Sequence, residues 1–265
     1  MNRSRVTITI RTDLLRSVDN LIDGTKIKNR SHAIESLLSK DFSARSVRKA
    51  VILSGGKGVK IKGHKEEVSR VLAPYQGRFF IEHIFDWLRA EGIEEVIISA
   101  SSLSSGVKEE IGDGKKYGLG VSYLAKDEGT ASVLKYLVNL LDEIFLMVNG
   151  DILSEANLGE MFDFHKKCGA LCTVGMISVK EPSAYGNMVL SGNKIVDFIE
   201  KPKAGKEESY LVNAGIYLME PEIFNLVSPQ CVSLERDLFP ALAKRGELCG
   251  YYLQEKWISL DGIKE

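Results

Sequence analysis

From Lys49 onward, short apolar runs alternate with amphipathic stretches, and this alternation constrains the fold more than any other feature. The runs lie at 50–53, 96–98, 144–148 and 171–177. Between them stand FIEHIFDWLRAEG (80–92), TASVLKYLVNLLDE (130–143) and EANLGEMFDFHKKCG (155–169), which read as helices. Alternation of this kind predicts an α/β fold, a mostly parallel sheet flanked by helices. Such sheets gather ligands at the carboxyl ends of their strands. The first run, Ala50-Val51-Ile52-Leu53, ends in Ser54 and then Gly55, Gly56 and Gly58. A buried strand running into a glycine loop brings backbone N–H groups up to a phosphate. Asp151 follows a second such run, IFLMV, and so stands at the same edge. Asn149-Gly150 could instead make a hairpin turn. The sequence after it, DILSEANLGEMF, reads as loop and helix and not as a returning strand.

The first 45 residues follow a different pattern. RVTITIR (5–11) alternates, with Val6, Ile8 and Ile10 on one face and Arg5, Thr7, Thr9 and Arg11 on the other. This predicts a strand. Thr12 can cap a helix striped by Leu14, Leu15, Val18, Leu21 and Ile22, ending at Gly24. Ser31 can cap a second helix carrying Ile34, Leu37, Leu38 and Phe42. One strand and two short helices leave too little core to stand alone. A second copy of the chain, its strand paired antiparallel with the first, remedies this. Charge divides at the same place. Residues 1–48 carry ten Lys and Arg against five Asp and Glu, about +5, and the remainder about −6, for a net −1. A basic arm on an acidic body points to a polyanion partner for the arm alone.

The β-α-α pattern resembles the ribbon-helix-helix DNA-binding family over residues 3–44. That resemblance implies a homodimer, or a higher even-numbered oligomer, whose paired strands enter the DNA major groove. Arg5, Thr7, Thr9 and possibly Arg11 would read bases, and the helix start at Asn29, Arg30 and Ser31 would hold a backbone phosphate. The plainer alternative is a dimerisation clip with a solvated basic face. SARSVR (43–48) reads as polar linker, giving domains at 1–44 and 49–265 joined by 45–48. Cys168, Cys172, Cys231 and Cys249 form no C-x-x-C pair and no zinc spacing. They are expected to be reduced in a cytoplasmic protein, since no signal core or membrane-length apolar run is present.

Seven phrases in order carry a second resemblance: KAVILSGGKG (49–58), FFIEHIFDWLRAEGIEEVII (79–98), DEGTASVL (127–134), FLMVNGDIL (145–153), IVDFIEKP (195–202), NAGIYLM (213–219) and WISLDGIKE (257–265). Together they resemble the sugar-phosphate nucleotidyltransferases, or nucleotide-sugar pyrophosphorylases, over residues 49–265. The resemblance implies a Rossmann-like sheet, an NTP and a sugar 1-phosphate as substrates, and Mg²⁺ held by Asp151 and Asp261. An acidic residue in a C-terminal turn is the plainer reading of Asp261. Leu53, Gly55, Gly56, Gly58, Glu128 and Gly129 would bind the nucleotide. Gly186, Glu200, Lys201 and Asn213 would bind the sugar phosphate. The chemistry would be in-line attack of a sugar 1-phosphate oxygen on the α-phosphorus of the NTP, with pyrophosphate leaving.

The glycine loop departs from the family pattern G-G-x-G-T/S-R-L. Val59 stands for the hydroxyl residue and Lys60 for the arginine over the leaving phosphates; Arg70, between Ser69 and Val71, falls where the family has the lysine of P-K-P/Q. Cationic charge survives at both positions without the family's residue. Two functions are therefore expected in competition. One is a Mg²⁺-dependent nucleotidyltransferase in which Lys60, Arg70 and Asp151 are catalytic. The other is a DNA-binding regulator whose second domain senses a nucleotide or nucleotide sugar.

Overall fold

The computed structural model describes residues 6–25, 27–44, 47–55, 58–59, 67–99, 105–125, 129–203, 205 and 209–263. The chain divides into two compact units, Met1–Ser46 and Val47–Glu265.

The first unit contains α1 (Thr12–Asp19) and α2 (Arg30–Ala44). Arg11, with extended backbone, precedes α1 and no side chain caps it, so Thr12 lies inside the helix and is not its cap. Ser31 likewise lies inside α2, whose cap is Asn29: its side-chain oxygen accepts His32 N–H at 2.9 Å. The amide of Asn29 reaches the third helical N–H, an orphan donor that a cap satisfies. The Asp23 carboxylate accepts Thr25 N–H and Ile27 N–H at 2.8 and 2.9 Å, building the turn around Gly24. Arg30 clamps Asp19 through two bonds of 2.6 and 2.8 Å, tying α2 to α1. Val18 and Ala33 are buried, yet Val6, Ile8, Leu14, Leu21, Leu37 and Leu38 are exposed. Residues 6–10, expected as a strand, join no ladder among the described residues.

The second unit runs β1 (Lys49–Leu53), β2 (Pro74–Tyr75), β3 (Arg78–Phe79), α3 (Phe80–Ala90), β4 (Glu95–Ser99), α4 (Ser105–Ile111), β5 (Gly120–Leu124), α5 (Leu134–Leu137), β6 (Phe145–Asn149), β7 (Ile152–Ser154) and α6 (Leu158–Cys168). It continues with β8 (Cys172–Ser178), β9 (Gly186–Ser191), β10 (Lys194–Glu200), β11 (Leu211–Met219), α7 (Phe239–Lys244), β12 (Leu248–Tyr252) and β13 (Trp257–Ser259). Nine strands form one sheet in the order β5-β4-β1-β6-β11-β8-β12-β10-β9.

Strand residues alternate between two cores. Ala50 and Ile52 of β1 face the layer built by α3, α4 and α6, while Val51 and Leu53 face the layer of α5, α7 and the turns near 223–238. Val47, inside the stretch read as linker, is buried in the first of these layers.

The sheet is mixed and not mostly parallel. β5, β4, β1 and β6 are parallel, but β11 runs antiparallel to both β6 and β8, and β9 and β10 form an antiparallel hairpin. Continuous apolar runs report burial on both faces. They carry no sign for direction, and β11 runs opposite to β6 and β8 on either side of it.

Two further expectations fail for local reasons. Only Leu134–Leu137 of the segment 130–143 is α-helical; its flanks close through tighter bonds such as Lys135 N–H to Ser132 O and Leu140 N–H to Leu137 O. Cys168, at the end of α6, and Cys249, in β12, are joined in a disulfide, so the four cysteines are not all reduced. Cys172 and Cys231 are free and buried. No helix among the described residues is long and apolar enough to cross a membrane.

Candidate active site

β1 and β6 lie side by side, and their carboxyl ends open one site. After Leu53 the chain leaves the sheet: Ser54 N–H and hydroxyl both donate to Ser99 O, at 3.0 and 2.6 Å. Leu53 O accepts Gly150 N–H at 2.8 Å, pulling the end of β6 against the glycine loop. A Cβ on Gly150 would meet the Val71 side chain at 2.5 Å and Leu53 O at 2.9 Å, so only glycine allows this approach. Gly58 is as tight against Val68 O, at 2.7 Å, where Val59 and Val68 exchange both backbone bonds. Gly56, Lys60, Glu128 and Arg5, all predicted as site residues, lie outside the described residues.

Asp151 follows Gly150, and the next three residues form β7. β7 pairs with β13 and not back with β6, which rules out the hairpin reading of Asn149-Gly150. The pairing sets Ser259 opposite Ile152, and Leu260 N–H donates to Asp151 O at 2.9 Å. Residues 110 positions apart in sequence, Asp151 and Asp261, are thereby brought to one place. Arg70 stands between them on a 3₁₀ turn anchored by buried Val71 and Leu72. Its Nε donates to Asp151 Oδ2 at 3.1 Å and its guanidinium NH2 to Asp261 Oδ1 at 2.5 Å.

Burial raises the Asp151 carboxyl above its ordinary proton affinity against the pull of Arg70, and the neighbouring Asp261 charge raises it further. Two buried oxygens at this place, Ser69 Oγ and Asn149 Oδ1, have no hydrogen-bond partner among the described residues. A cavity of about 330 Å³ opens here, lined by Leu53, Gly55, Arg70, Gly129, Thr130 and Asp151 among others.

The remaining predicted residues gather on the β9–β10–β11 side. Gly186 opens β9 opposite Glu200, which ends β10. A Cβ on Gly186 would meet Phe198 at 2.6 Å and Glu200 Oε2 at 2.9 Å, so the Glu200 carboxylate lies over a bare backbone. Lys201 takes a left-handed φ of 47°, a sparsely populated conformation for a residue other than glycine, as its N–H reaches Tyr185 O. In β11, Asn213 accepts Gly215 N–H at 2.9 Å and donates to the Tyr217 hydroxyl at 2.9 Å. Trp257 donates its indole N–H to Ala214 O at 2.8 Å, linking the NAG phrase to the strand that leads to Asp261.

One carboxylate here was missed by sequence reasoning. Glu235, on a one-turn π-helix (Leu234–Leu238), accepts the Thr130 and Ser233 hydroxyls at 3.0 and 2.8 Å. SLERDLFP reads as an ordinary helix start, and no spacing links it to Thr130.

In the first unit Thr7, Thr9, Arg11, Arg30 and Ser31 are all exposed. Arg11 pairs with Asp13 at 3.0 Å, and Arg30 is held by Asp19.

Residues 49–260 match the family model described as nucleotidyl transferase. A mannose-1-phosphate guanylyltransferase from Mycobacterium tuberculosis is 31% identical over 216 residues, or 78% of this chain and 59% of that protein. The mannose-1-phosphate guanyltransferase of Saccharomyces cerevisiae is 29% identical over 226 residues, 82% and 62% of the two chains. The chain thus spans about three fifths of the length of these relatives. In fold, HddC from Yersinia pseudotuberculosis is similar with a TM-score of 0.68 at 18% identity, over 81% of this chain and 94% of that one. The matched span takes in the glycine loop, Asp151 and the β9–β11 cluster, and on that ground the chain belongs to the nucleotidyl transferase family.

Proposed function

We propose that the second unit transfers a nucleotidyl group from an NTP to a sugar 1-phosphate and releases pyrophosphate. The observation that carries this reading is the joining of Asp151 and Asp261 through Arg70 beside the glycine loop. The relatives' names favour GTP and mannose 1-phosphate as the first pair to try.

A divalent cation fits the residues present. Two carboxylates already share one cationic partner, and unpartnered oxygens of Ser69 and Asn149 lie nearby. Among the described residues no cluster of three His, Cys, Asp or Glu forms a complete cage. Two adjacent carboxylates suit Mg²⁺, which takes one or two of them and completes its shell with water and phosphate oxygens. Asp151 and Asp261 would hold it; when bound it neutralises phosphate charge.

The chain's own groups do the rest. Backbone N–H groups of the glycine loop hold the triphosphate, and Arg70 with Lys60 offsets its negative charge. Glu200, Lys201 and Asn213 orient the sugar 1-phosphate, whose oxygen attacks the α-phosphorus in line. The bond to the β-phosphate oxygen breaks, and pyrophosphate leaves with that electron pair. Each oriented cation in such a site supplies ~2–4 kcal/mol of transition-state stabilisation.

The exposed apolar residues of the first unit support a role for it as a dimerisation arm, in which strands 5–11 of two copies pair and present Arg5, Thr7 and Thr9 to DNA. A second reading has one observation in its favour. Val59 leaves the loop without the family's hydroxyl, as in a site that binds nucleotide sugar without turning over. Incubating the protein with each NTP (and dTTP) and a panel of sugar 1-phosphates, then looking for nucleotide sugar by mass, separates the two. Product formation supports the enzyme. Binding of nucleotide sugar without product supports the sensor.

A further inference from the structure

Glu235 is the one carboxylate of the site that neither family phrase nor sequence spacing pointed to. It comes from the π-helix after Ser233, and its setting is built from both sides. Thr130, which lines the cavity, donates its hydroxyl to Glu235 Oε2 while its own oxygen accepts Leu234 N–H at 2.9 Å. Ser233 donates to the same Oε2 at 2.8 Å. Gly129 makes this possible: with φ 113° it packs so close that a Cβ would meet Val232 O at 2.5 Å. Ala131 N–H then donates to Val232 O at 2.9 Å. The segment 129–131 is therefore stitched to 232–235 by glycine contact, backbone bond and side-chain bonds together. A one-turn π-helix is a local strain often found at functional sites.

These bonds leave Oε1 of half-buried Glu235 without a hydrogen bond among the described residues. The neighbouring groups are acceptor-rich. Glu200 is raised in proton affinity by burial first and by the Glu235 charge second. Tyr217 is raised by burial and then by the same Glu235 charge, and Asn213 is bound to its hydroxyl. The packing brings the two together as well: Phe198, on the same face of β10 as Glu200, meets the Phe239 ring just past the π-helix at 5.2 Å, so Glu200 and Glu235 face one small region. Two ionised carboxylates offer acceptors only. They fit a ligand that brings donors and repel one that brings a carboxylate.

We propose that Glu235 is a specificity-determining residue: with Glu200 it forms an acceptor pair for adjacent hydroxyls of a neutral sugar, and it rejects acidic sugars. This rests on the nucleotidyltransferase reading of the site. Thr130 and Ser233 fix one oxygen of Glu235 so that the other is aimed at the sugar, and Glu200 covers the neighbouring hydroxyl over Gly186.

The test compares wild type with Glu235→Gln, which keeps an oxygen for Thr130 and Ser233 but loses the charge. Substrates are GTP with mannose 1-phosphate and GTP with glucuronic acid 1-phosphate; dissociation of GDP-mannose and of GDP is measured beside them, with near-UV circular dichroism to show the fold is kept. The expected result is a tenfold or greater rise in KM for mannose 1-phosphate with the KM for GTP unchanged. Discrimination against the acidic sugar should narrow by a similar factor, and GDP-mannose should bind more weakly while GDP does not. Unchanged sugar KM and unchanged discrimination overturn the proposal, as does an equal loss for GTP. Failure of the underlying reading looks different. There wild type makes no product and binds neither GDP nor GDP-mannose, which removes the proposal with it. If wild type binds both but makes no product, the two dissociation constants decide.

Discussion

Replacing Arg70 by Ala tests the physical core of the site without reference to any substrate. The guanidinium is 19% exposed and holds two carboxylates that repel each other. Asp151 is 29% exposed, so the bond of 3.1 Å to it counts nearly in full as a charge-assisted hydrogen bond, ~1.5–3 kcal/mol. Asp261 is 73% exposed, and solvent screening cuts its contact, though only 2.5 Å long, to ~0.5 kcal/mol. Arg70→Ala should thus lower stability by about 2–3 kcal/mol, or ~5–10 °C in the melting of a unit of this size. Arg70→Lys, which has the charge without the fork, should fall between. The assay is differential scanning calorimetry in EDTA and then in excess Mg²⁺. Stripped of its resident cation, the Arg70→Ala variant should gain more from Mg²⁺ than wild type does. An Arg70→Ala protein that melts with wild type in EDTA would refute the reasoning, because the two carboxylates would then need no cation between them.

Three further perturbations probe other parts of the molecule. Gly150→Ala forces a methyl against Val71 and Leu53 O, at 2.5 and 2.9 Å, and should cost ~1–3 kcal/mol of stability by urea unfolding while loosening the glycine loop. His165 is 1% exposed and burial holds its imidazole neutral down to about 4 from the ordinary 6.5. The unfolded chain takes up the proton first, so the stabilisation is full above about pH 6.5 and is lost as pH falls towards 4. The shift amounts to ~3 kcal/mol, and His165→Gln should flatten that slope in melts between pH 7 and 4.5. Ile8 and Leu38 are 56% and 51% exposed in a single chain. Ile8→Asp should convert a dimer to a monomer by light scattering, whereas Thr7→Ala should weaken DNA binding and leave the dimer intact; a monomeric wild type would dismiss the arm's role.

Much of the second unit was legible because its strands are buried on both faces. Runs 50–53, 96–98, 144–148 and 171–177 became β1, β4, β6 and β8 since a strand between two helical layers is built mostly of apolar side chains, Thr173 being admitted in β8 by its bond to His165. Direction was not legible: β11 carries the same apolar signature and runs the other way. Caps were misjudged by one or two residues in the first unit, where Asn29 competes with Ser31 and only the Arg30–Asp19 clamp settles the helix start. The predicted helix 130–143 shrank to Leu134–Leu137 because Gly129 and Thr130 are drawn to 232–235, a tertiary demand that local periodicity does not record. The order of phrases marked both Asp151 and Asp261, but only the β7–β13 pairing says why they meet. That Arg70 bridges them, and that Glu235 is bonded to Thr130 of the cavity wall, depends on contacts spanning up to 191 and 105 positions.

The measurement that bears most directly on the function is pyrophosphate release from GTP and mannose 1-phosphate with Mg²⁺, wild type against Asp151→Asn. Removing one of two carboxylates that would hold the cation should reduce turnover by ~10³-fold or more, on the scale of several kcal/mol that a bound metal contributes. Turnover that is present in wild type and equal in Asp151→Asn would contradict the placement of the chemistry between β1 and β6.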